Sequence, residues 1–398
     1  MPDDTRGKAH LRFLSLWLVN RLVVARNRFR RFVWDTLLPA NASQRTAQAC
    51  KFRAVEQPFR NSIIQTGDSL LDARLTADAQ EPHYAWAYHY RGDILIEPRY
   101  GYAVERRFRL LDESMPFIEW SRDPRWWHLI AFPSVTSIAA ARTGARRRRR
   151  FGAVISLRFY WETNYFHLLN DILPRLHMAR QFGVPPDVPV VVGSKLAEKP
   201  YFREICQGGT LDGRPVIEQD DDFIEFESGY FFRPPSDYDG VAFVATLLGA
   251  PAHPSGARRL FVNRRAGSRR SVINFEELRP ALEEFGFDVV DTEGWSLADQ
   301  VALFSSAEHV VGIHGAGLAN MIFRRGARCS VLEIFPPDEA LGFYAQLCCR
   351  LGFAYDAIRG YSTGSDVDRW APFLVDPLRF RDRLASFVAS DLPAAMSG

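Results

Sequence analysis

Three glycines crowd one short turn in the sequence Val310-Val-Gly-Ile-His-Gly-Ala-Gly-Leu-Ala-Asn320. An apolar run typical of a buried strand leads into this turn, and a helix is expected directly after it. Glycine lets the backbone approach a ligand closely, and the free amides at a helix N-terminus favour an anion. We therefore expect a phosphate or diphosphate here; the alternative is a tight turn that binds nothing. The candidate ligand-binding residues are Gly312, His314, Gly315, Ala316, Gly317 and Asn320.

Three charged residues follow or lie on neighbouring predicted strands. Arg264 follows a strand end and offers a planar fork to phosphate oxygens. Glu333 lies within the apolar run Val-Leu-Glu-Ile, where a buried acid needs a partner. It is expected either to accept hydrogen bonds from ribose hydroxyls or to form a structural salt bridge. Glu293, in a loop after a third strand, is expected to face the same ligand.

A second group of polar residues lies in Trp161-Glu-Thr-Asn-Tyr-Phe-His-Leu-Leu-Asn-Asp-Ile-Leu-Pro-Arg175. His167 and Asp171 are four residues apart, so on a helix they share one face. A carboxylate in that position orients an imidazole to act as a general base. In one alternative, Glu162 or Asp171 is itself the base and His167 only packs. In another, His167 is an ordinary core histidine.

Alternating strands and helices are expected to position these residues. The predicted strands are Ala153–Phe159, Val188–Val192, Phe223–Phe226, Tyr230–Phe232, Leu260–Val262, Asp288–Val290, Val310–Gly312, Val331–Phe335 and Ala354–Ile358. Helices are expected over 165–182, 201–206, 274–285, 296–307, 318–323 and 340–351, with caps at Asn274 and Ser296. This alternation predicts an α/β fold with parallel, doubly wound sheets in two Rossmann-like halves. The linker is expected near residue 250.

The predicted domains follow from these elements and from changes in composition. Residues 1–45 form a basic N-terminal segment, 46–248 an acceptor-side α/β domain, 249–360 a Rossmann-like domain and 361–398 a tail with a helix. Residues 46–150 are interpreted as irregular and rich in aromatic side chains. The run Arg146–Arg150 at their end is interpreted as a solvated loop; contact with phosphate or lipid head groups is the alternative.

Charge and cysteine content narrow the possible classes of protein. The 398 residues carry 50 basic and 47 acidic side chains, which argues against a nucleic-acid binder with a broad basic face. Five scattered cysteines without C-x-x-C spacing predict reduced thiols in a reducing compartment and no zinc site. Asp220–Asp222 precede a predicted strand and are interpreted as a solvated turn. We therefore expect neither a bound metal nor a cofactor.

Residues 8–33 combine an apolar stripe at helical spacing with many arginines. The stripe is too short to span a membrane, which needs about 20 apolar residues. A basic amphipathic helix of this kind can lie on an anionic membrane surface, or it can dock on its own protein. The expected location is therefore the cytoplasm, with a peripheral contact to the inner face of the cell membrane.

Taken together, the two motifs resemble the family 61 glycosyltransferases. Asn-Tyr-Phe-His-x-x-x-Asp-x-x-Pro-Arg from Asn164, then Gly-x-His-Gly-Ala-Gly-Leu-Ala-Asn from Gly312, carry the resemblance together with Val-Leu-Glu-Ile around Glu333. It extends over about residues 153–376. Leu168 departs from the pattern, since an aromatic residue commonly follows the histidine.

The resemblance implies a GT-B fold, with two Rossmann-like domains facing each other across a cleft, and an inverting, metal-independent mechanism. It implies donor binding by Arg264, the glycine turn and Glu333, and acceptor chemistry near His167 and Asp171, with Asn164 and Arg175 on the acceptor side. The expected reaction moves a sugar from a nucleotide-diphosphate sugar to a saccharide or glycan, in capsule or surface polysaccharide synthesis. The alternatives are a nicotinamide-dependent oxidoreductase on a two-Rossmann scaffold and a non-enzymatic polyanion-binding protein.

Overall fold

The computed structural model describes residues 66–80, 85–105, 111, 114, 143–206, 208–235, 237–338, 340–362 and 370–389. The described residues divide into two compact units: unit 1 contains those between 85 and 234, and unit 2 contains 66–80 and those from Pro235 onward. Helix α1 (Ser69–Gln80) belongs to unit 2. The predicted domain bounds stay a prediction. The amphipathic segment 8–33 lies outside the described residues.

Unit 1 contains a seven-stranded mixed sheet in the order β2-β1-β7-β3-β4-β6-β5. Strand β3 pairs in parallel with β4 and β7, and β4 pairs in parallel with β6. Strands β1 and β5 add antiparallel pairs. The strands are β1 (Trp86–Ile96), β2 (Ala103–Glu105), β3 (Arg148–Ser156), β4 (Val190–Gly193), β5 (Thr210–Leu211), β6 (Arg214–Gln219) and β7 (Phe223–Arg233). Part of the region that we interpreted as irregular therefore supplies two strands.

Only the first two residues of the run Arg146–Arg150 lie outside a strand, so our interpretation of the whole run as a loop is wrong for the last three. Strand β3 begins at Arg148, and its arginines pair with acids on or beside β7, where Arg150 lies 3.2 Å from Glu227 and Arg149 pairs with Asp222. Cross-strand charge pairs therefore make the run compatible with a strand.

Strand β7 is continuous, although we predicted two strands, Phe223–Phe226 and Tyr230–Phe232, in its place. Gly229 continues the strand because its lack of a side chain leaves room for the ring of Phe226.

The helical segment after β3 contains one irregular turn. Helix α2 (Tyr165–His167) passes into a π-helical turn (Leu168–Ile172) and then into α3 (Pro174–Gln181). Single π-helical turns inside α-helices are frequent at functional sites. The short helices α4 (Ser194–Ala197) and α5 (Pro200–Ile205) follow β4. The predicted helix over 165–182 is confirmed, with this turn as an added feature.

Unit 2 contains a five-stranded, fully parallel sheet in the order β12-β11-β10-β8-β9. Its strands are β8 (Arg258–Val262), β9 (Asp288–Val290), β10 (Ala307–Ile313), β11 (Ser330–Phe335) and β12 (Ala354–Arg359). All five lie within three residues of the predicted bounds. In order of appearance the spatial arrangement is 2-1-3-4-5, a doubly wound topology.

Helices cover both faces of this sheet. They are α6 (Tyr238–Leu247), α7 (Phe275–Glu284), α8 (Leu297–Ser305), a 3₁₀ helix (Ala316–Arg324), α9 (Phe343–Leu351) and α10 (Pro377–Ala389). Leu278 of α7 and Phe380 of α10 pack against Ile334, whereas Leu71 of α1 packs against its neighbour Phe335 on the opposite face. The side chains of consecutive strand residues point to opposite faces, so α1 and α10 cover different sides of the sheet.

One of the two predicted helix caps is confirmed. The hydroxyl of Ser296 accepts a hydrogen bond from the Asp299 amide at 3.1 Å, and the same hydroxyl donates to the Asp299 carboxylate at 2.6 Å. Asn274 makes no capping hydrogen bond, because its side-chain amide is paired with the backbone of Val375. No helix in the described ranges is both long and apolar enough to cross a membrane.

Candidate functional site

The sheet of unit 2 has its topological switch point between β8 and β10. The chain leaves β8 towards β9 on one side, while β10 continues the sheet on the other. In open α/β sheets, ligands bind outside the carboxyl ends of the strands at such a point. Arg264 follows β8, and the turn from His314 to Gly317 follows β10. The strand order therefore brings together two groups that were predicted separately from the sequence.

Arg264 lies directly on the glycine turn. Its Nη2 donates a hydrogen bond to the carbonyl of His314 at 3.1 Å, and its Nη1 donates to the carbonyl of Arg269 at 2.9 Å. A Cβ atom on Gly315 would lie only 1.8 Å from this Nη2. Burial lowers the pKa of the Arg264 guanidinium, and nearby Tyr344 and Glu293 raise it. Because both hydrogen bonds hold the guanidinium over the turn, a positive charge is placed where an anion is expected.

The three glycines are required because neighbouring atoms lie too close to leave room for a side chain, and not because the backbone is left-handed. None of them has a φ in the left-handed region. A Cβ on Gly312 would lie 2.5 Å from Leu318, and one on Gly317 would lie 3.3 Å from Val262. The turn therefore packs tightly on β8 and on the following 3₁₀ helix. Ala316 is the first residue of that helix, so the predicted helix is confirmed in place but is of the tighter 3₁₀ type.

His314 is held by a buried chain of hydrogen bonds. Its Nδ1 lies 2.5 Å from Oε1 of Glu333, and Oε2 of Glu333 accepts a hydrogen bond from the Tyr355 hydroxyl at 2.6 Å. Glu333 is fully buried and His314 is 4% exposed. The imidazole stacks on Phe335 at 5.2 Å. Nε2, on the other side of the ring, has no hydrogen-bond partner among the described residues.

These contacts favour the structural role for Glu333 over the ribose contact. One carboxylate oxygen contacts an imidazole nitrogen and the other accepts from a phenol, and the side chain is fully buried. Burial raises the pKa of Tyr355, with the neighbouring Glu333 carboxylate adding to the effect, so the phenol stays protonated and donates. Glu333 and Tyr355 therefore orient His314, whose Nε2 is the group that this chain of contacts offers to a ligand.

Two further predicted ligand-binding residues, Asn320 and Glu293, make contacts within the protein. Asn320 is completely buried and its side-chain amide donates to Gln300 at 2.8 Å, so it ties the 3₁₀ helix to α8. Glu293 is exposed in the loop after β9, where its carboxylate lies 3.7 Å from Arg265. The shorter contact of Arg265 is with Asp291, at 2.9 Å, so this arginine belongs to an exposed ion-pair cluster.

Two residues near the turn, Arg270 and Trp370, were not among the predicted site residues. Arg270 has a left-handed backbone with φ of 61°, is 5% exposed and lies over the Trp370 ring at 4.1 Å. Together with Arg264 it lowers the pKa of Tyr344, which burial raises more strongly. A second arginine is thus buried beside the glycine turn. The sequence Ser268-Arg-Arg270 could have indicated this residue, but arginine pairs are frequent in this arginine-rich chain and do not stand out.

In unit 1, His167 and Asp171 form the pair that their spacing predicted. Nδ1 of His167 lies 2.7 Å from Oδ2 of Asp171, and both side chains are partly exposed. Trp161 stacks on the imidazole at 5.3 Å with an interplanar angle of 17°, and Phe159 lies 5.2 Å away. Nε2 of His167 has no hydrogen-bond partner within the described part of the chain. The geometry suits a general base whose carboxylate partner fixes the ring.

The other three candidates near His167 have structural contacts. Glu162 is buried and bonded to Arg158 at 3.0 Å, so it is not placed as a base. Asn164 caps helix α2 by accepting from the Phe166 amide. Arg175 is buried, donates to the carbonyls of Asp171 and Arg158, and has its pKa lowered to about 10 by burial. These residues hold the helical segment on the sheet.

Asp220–Asp222 form a turn that precedes a strand, as expected. Strand β6 also ends at Gln219, directly before this turn, so the triplet follows one strand and precedes another. Asp222 pairs with Arg149, and Asp220 lies 3.3 Å from the Ser194 hydroxyl. Within the described ranges no group of three or more potential ligands is arranged to hold a metal. Metal independence stays a prediction.

Comparison with known proteins agrees with the two motifs. Residues 165–332 match the family described as Glycosyltransferase 61, a range that includes the His167–Asp171 pair and the glycine turn. A stretch of 98 residues is 37% identical to the β-1,2-xylosyltransferase XAX1 of Oryza sativa subsp. japonica. That stretch covers 23% of this chain and only 17% of the relative's length. The family match supports the resemblance of the two motifs to the family 61 glycosyltransferases.

Proposed function

We propose that this chain is a family 61 glycosyltransferase with an inverting mechanism and a fold of the GT-B type. It transfers a sugar from a nucleotide-diphosphate sugar to a hydroxyl group of a saccharide or glycan. The bond between the anomeric carbon and the diphosphate oxygen breaks, the acceptor oxygen attacks that carbon from the opposite face, and the acceptor loses its proton. The leaving nucleoside diphosphate takes the bonding electrons. Support comes from the family match and from the relative's name.

The observation that carries this proposal is the position of Arg264 and His314 at the switch point. Arg264 is hydrogen-bonded to the carbonyl of His314 and lies against Gly315. Pre-oriented cations and backbone amides at this point would stabilise the negative charge that develops on a leaving diphosphate. No metal ion is needed in this proposal, because the Arg264 guanidinium supplies a positive charge and the turn supplies backbone amides.

His167 is proposed as the base that removes the proton from the acceptor hydroxyl. Its Nδ1 is fixed by Asp171, so Nε2 is the nitrogen that would receive this proton. The carboxylate stabilises the imidazolium that forms. Glu162 is not assigned this role, because its carboxylate is buried against Arg158.

The direct test is a screen of UDP- and GDP-sugars with xylose- and glucose-containing saccharides as acceptors, following release of nucleoside diphosphate. We expect one donor to be used, with turnover unchanged in excess EDTA. NMR of the product should show an inverted anomeric configuration. If every donor is inert in the presence and absence of magnesium or manganese, the proposed function is wrong. If added metal is absolutely required, Asp220–Asp222 return as candidate ligands.

We further propose that the enzyme works in the cytoplasm, at the inner face of the membrane, in capsule or surface polysaccharide synthesis. The support is the basic amphipathic pattern of residues 8–33. Each basic residue near an anionic surface contributes about 1 kcal/mol to binding. The full chain should therefore co-sediment with phosphatidylserine-containing liposomes, and a chain that lacks residues 1–35 should not. Equal sedimentation of the two would contradict the membrane contact.

A further inference from the structure

A continuous row of aromatic rings extends from His167 to the surface of unit 1. Trp161 stacks on His167 with ring centroids 5.3 Å apart, and Tyr160 packs edge-on against Trp161 at 5.0 Å. Tyr100, from the turn between β1 and β2, contacts Tyr160 at 5.4 Å. Tyr160 is 39% exposed, whereas Tyr100 is buried. The outermost ring of the row is therefore open to solvent and supported from two sides.

We infer that Tyr160 and Trp161 form an acceptor subsite that stacks against a pyranose ring of a saccharide. The inference rests on the proposed function, because the proposed base His167 stands at the inner end of the row. A pyranose whose hydroxyl groups are equatorial, as in β-linked xylose or glucose units, presents carbon-bound hydrogens to both ring faces. An aromatic face binds such a surface, and a phenol can also form a hydrogen bond at its edge.

Several features distinguish this row from an isolated exposed tyrosine, which would need no explanation. Tyr160 lies in the loop that follows β3, directly before the helical segment that carries the His167–Asp171 pair. The Asp171 carboxylate, 24% exposed, lies beside the imidazole at the inner end of the row. An apolar surface with a few polar groups is typical of small-molecule sites.

The row is also rigid, which favours binding. Tyr160 contacts Trp161 and Tyr100, and Tyr102 stacks on Tyr100 at 5.6 Å. A platform that is already ordered loses little conformational freedom when a ligand stacks on it. The buried Arg158 side chain lies under this region, because a Cβ on Gly101 would lie 2.0 Å from its Cβ. The turn that carries Tyr100 is thus packed on the loop that carries Tyr160.

The test uses the full-length Tyr160→Ala and Tyr160→Phe variants, with Tyr238→Ala as a matched control. Tyr238 is a 43% exposed tyrosine in unit 2, outside the proposed site. Loss of the stacking ring should raise the acceptor KM about tenfold, which corresponds to about 1.4 kcal/mol. The donor KM should not change. Tyr160→Phe should retain most of the affinity, and Tyr238→Ala should behave as the wild type.

A binding measurement separates failure of this inference from failure of the proposed function. Saturation-transfer NMR with xylobiose and cellobiose reports saccharide binding without any turnover. If no transfer occurs but Tyr160→Ala abolishes the NMR signal, the subsite stands and the proposed function is wrong. If transfer occurs and Tyr160→Ala leaves the acceptor KM unchanged, the subsite is wrong and the function stands. Absence of a signal from both disaccharides with the wild-type protein would overturn the subsite.

Discussion

Nδ1 of His314 lies 2.5 Å from Oε1 of Glu333, a carboxylate that no solvent reaches. The same carboxylate accepts a hydrogen bond from Tyr355 through its second oxygen. Because this acid is fully buried and bonded to protein groups through both oxygens, we expect it to act on a ligand through the imidazole. The pair joins two adjacent strands, because His314 follows β10 and Glu333 belongs to β11.

Replacing Glu333 with glutamine should lower the catalytic efficiency with the donor. The imidazole loses a charge-assisted hydrogen bond, which contributes about 1.5–3 kcal/mol, so kcat/KM for the donor should fall by about 10- to 100-fold. Tyr355→Phe removes a hydrogen bond to the carboxylate and should have a smaller effect. Steady-state kinetics with separate donor and acceptor titrations checks this. A change in acceptor KM with normal donor kinetics would contradict the assignment.

Removing the Arg264 side chain should reduce affinity for the nucleoside diphosphate. A charge-assisted contact with phosphate contributes about 1.5–3 kcal/mol, so Kd measured by calorimetry should rise by about 10- to 100-fold in Arg264→Ala. The matched control is the next residue, because Arg265 is exposed and paired with Asp291. Arg265→Ala should bind the nucleotide normally. If the two folded variants bind the nucleoside diphosphate equally well, Arg264 does not contribute to its binding.

A single methyl group on Gly315 should disturb the same contact without removing a charge. The new Cβ would lie 1.8 Å from Nη2 of Arg264, so the guanidinium must move off the turn. Gly315→Ala should therefore weaken nucleotide binding in the same direction as Arg264→Ala. Gly152→Ala is the control, since no atom lies within 4 Å of the position that its methyl group would take on β3. The double variant Gly315→Ala, Arg264→Ala should be no weaker than the stronger single variant, because both affect one contact.

The base assignment in unit 1 is tested by three variants side by side. A positioned general base contributes about 10²–10⁴-fold, so His167→Ala should lose that much in kcat while nucleotide binding is retained. Asp171→Asn should lose less, because the imidazole remains. Glu162→Gln should mainly lower thermal stability, because removing one partner of a buried ion pair costs about 3–5 kcal/mol at most. If His167→Ala has the mildest loss of kcat among the three, the base is another residue.

Local features of the chain were predictable. The His167–Asp171 contact depends only on a four-residue spacing within one helical segment, and it is present at 2.7 Å. The strands and helices of unit 2 were predicted because their apolar runs and turn signals are short-range properties. The Ser296 cap is equally local. Within the described ranges these elements agree with the sequence to within a few residues.

The strands of unit 1 were harder to predict, for a physical reason. The arginines that open β3 are stable in a strand only because acids of β7 lie across from them, far away in the sequence. Glycine is typical of turns, yet Gly229 continues β7 because the ring of Phe226 occupies the position that a side chain would take. Both outcomes depend on cross-strand neighbours, which composition and periodicity do not specify.

The sequence by itself determined which residues have the chemistry to bind a phosphate and to accept a proton, because side-chain type and local spacing decide both. Only the tertiary structure decided how these residues are used. The order of strands in the sheet places Arg264 beside Gly315, and it places Glu333 against the imidazole of His314. A buried acid must find its partner among whichever side chains the neighbouring strands supply, and that neighbourhood is a property of the assembled sheet.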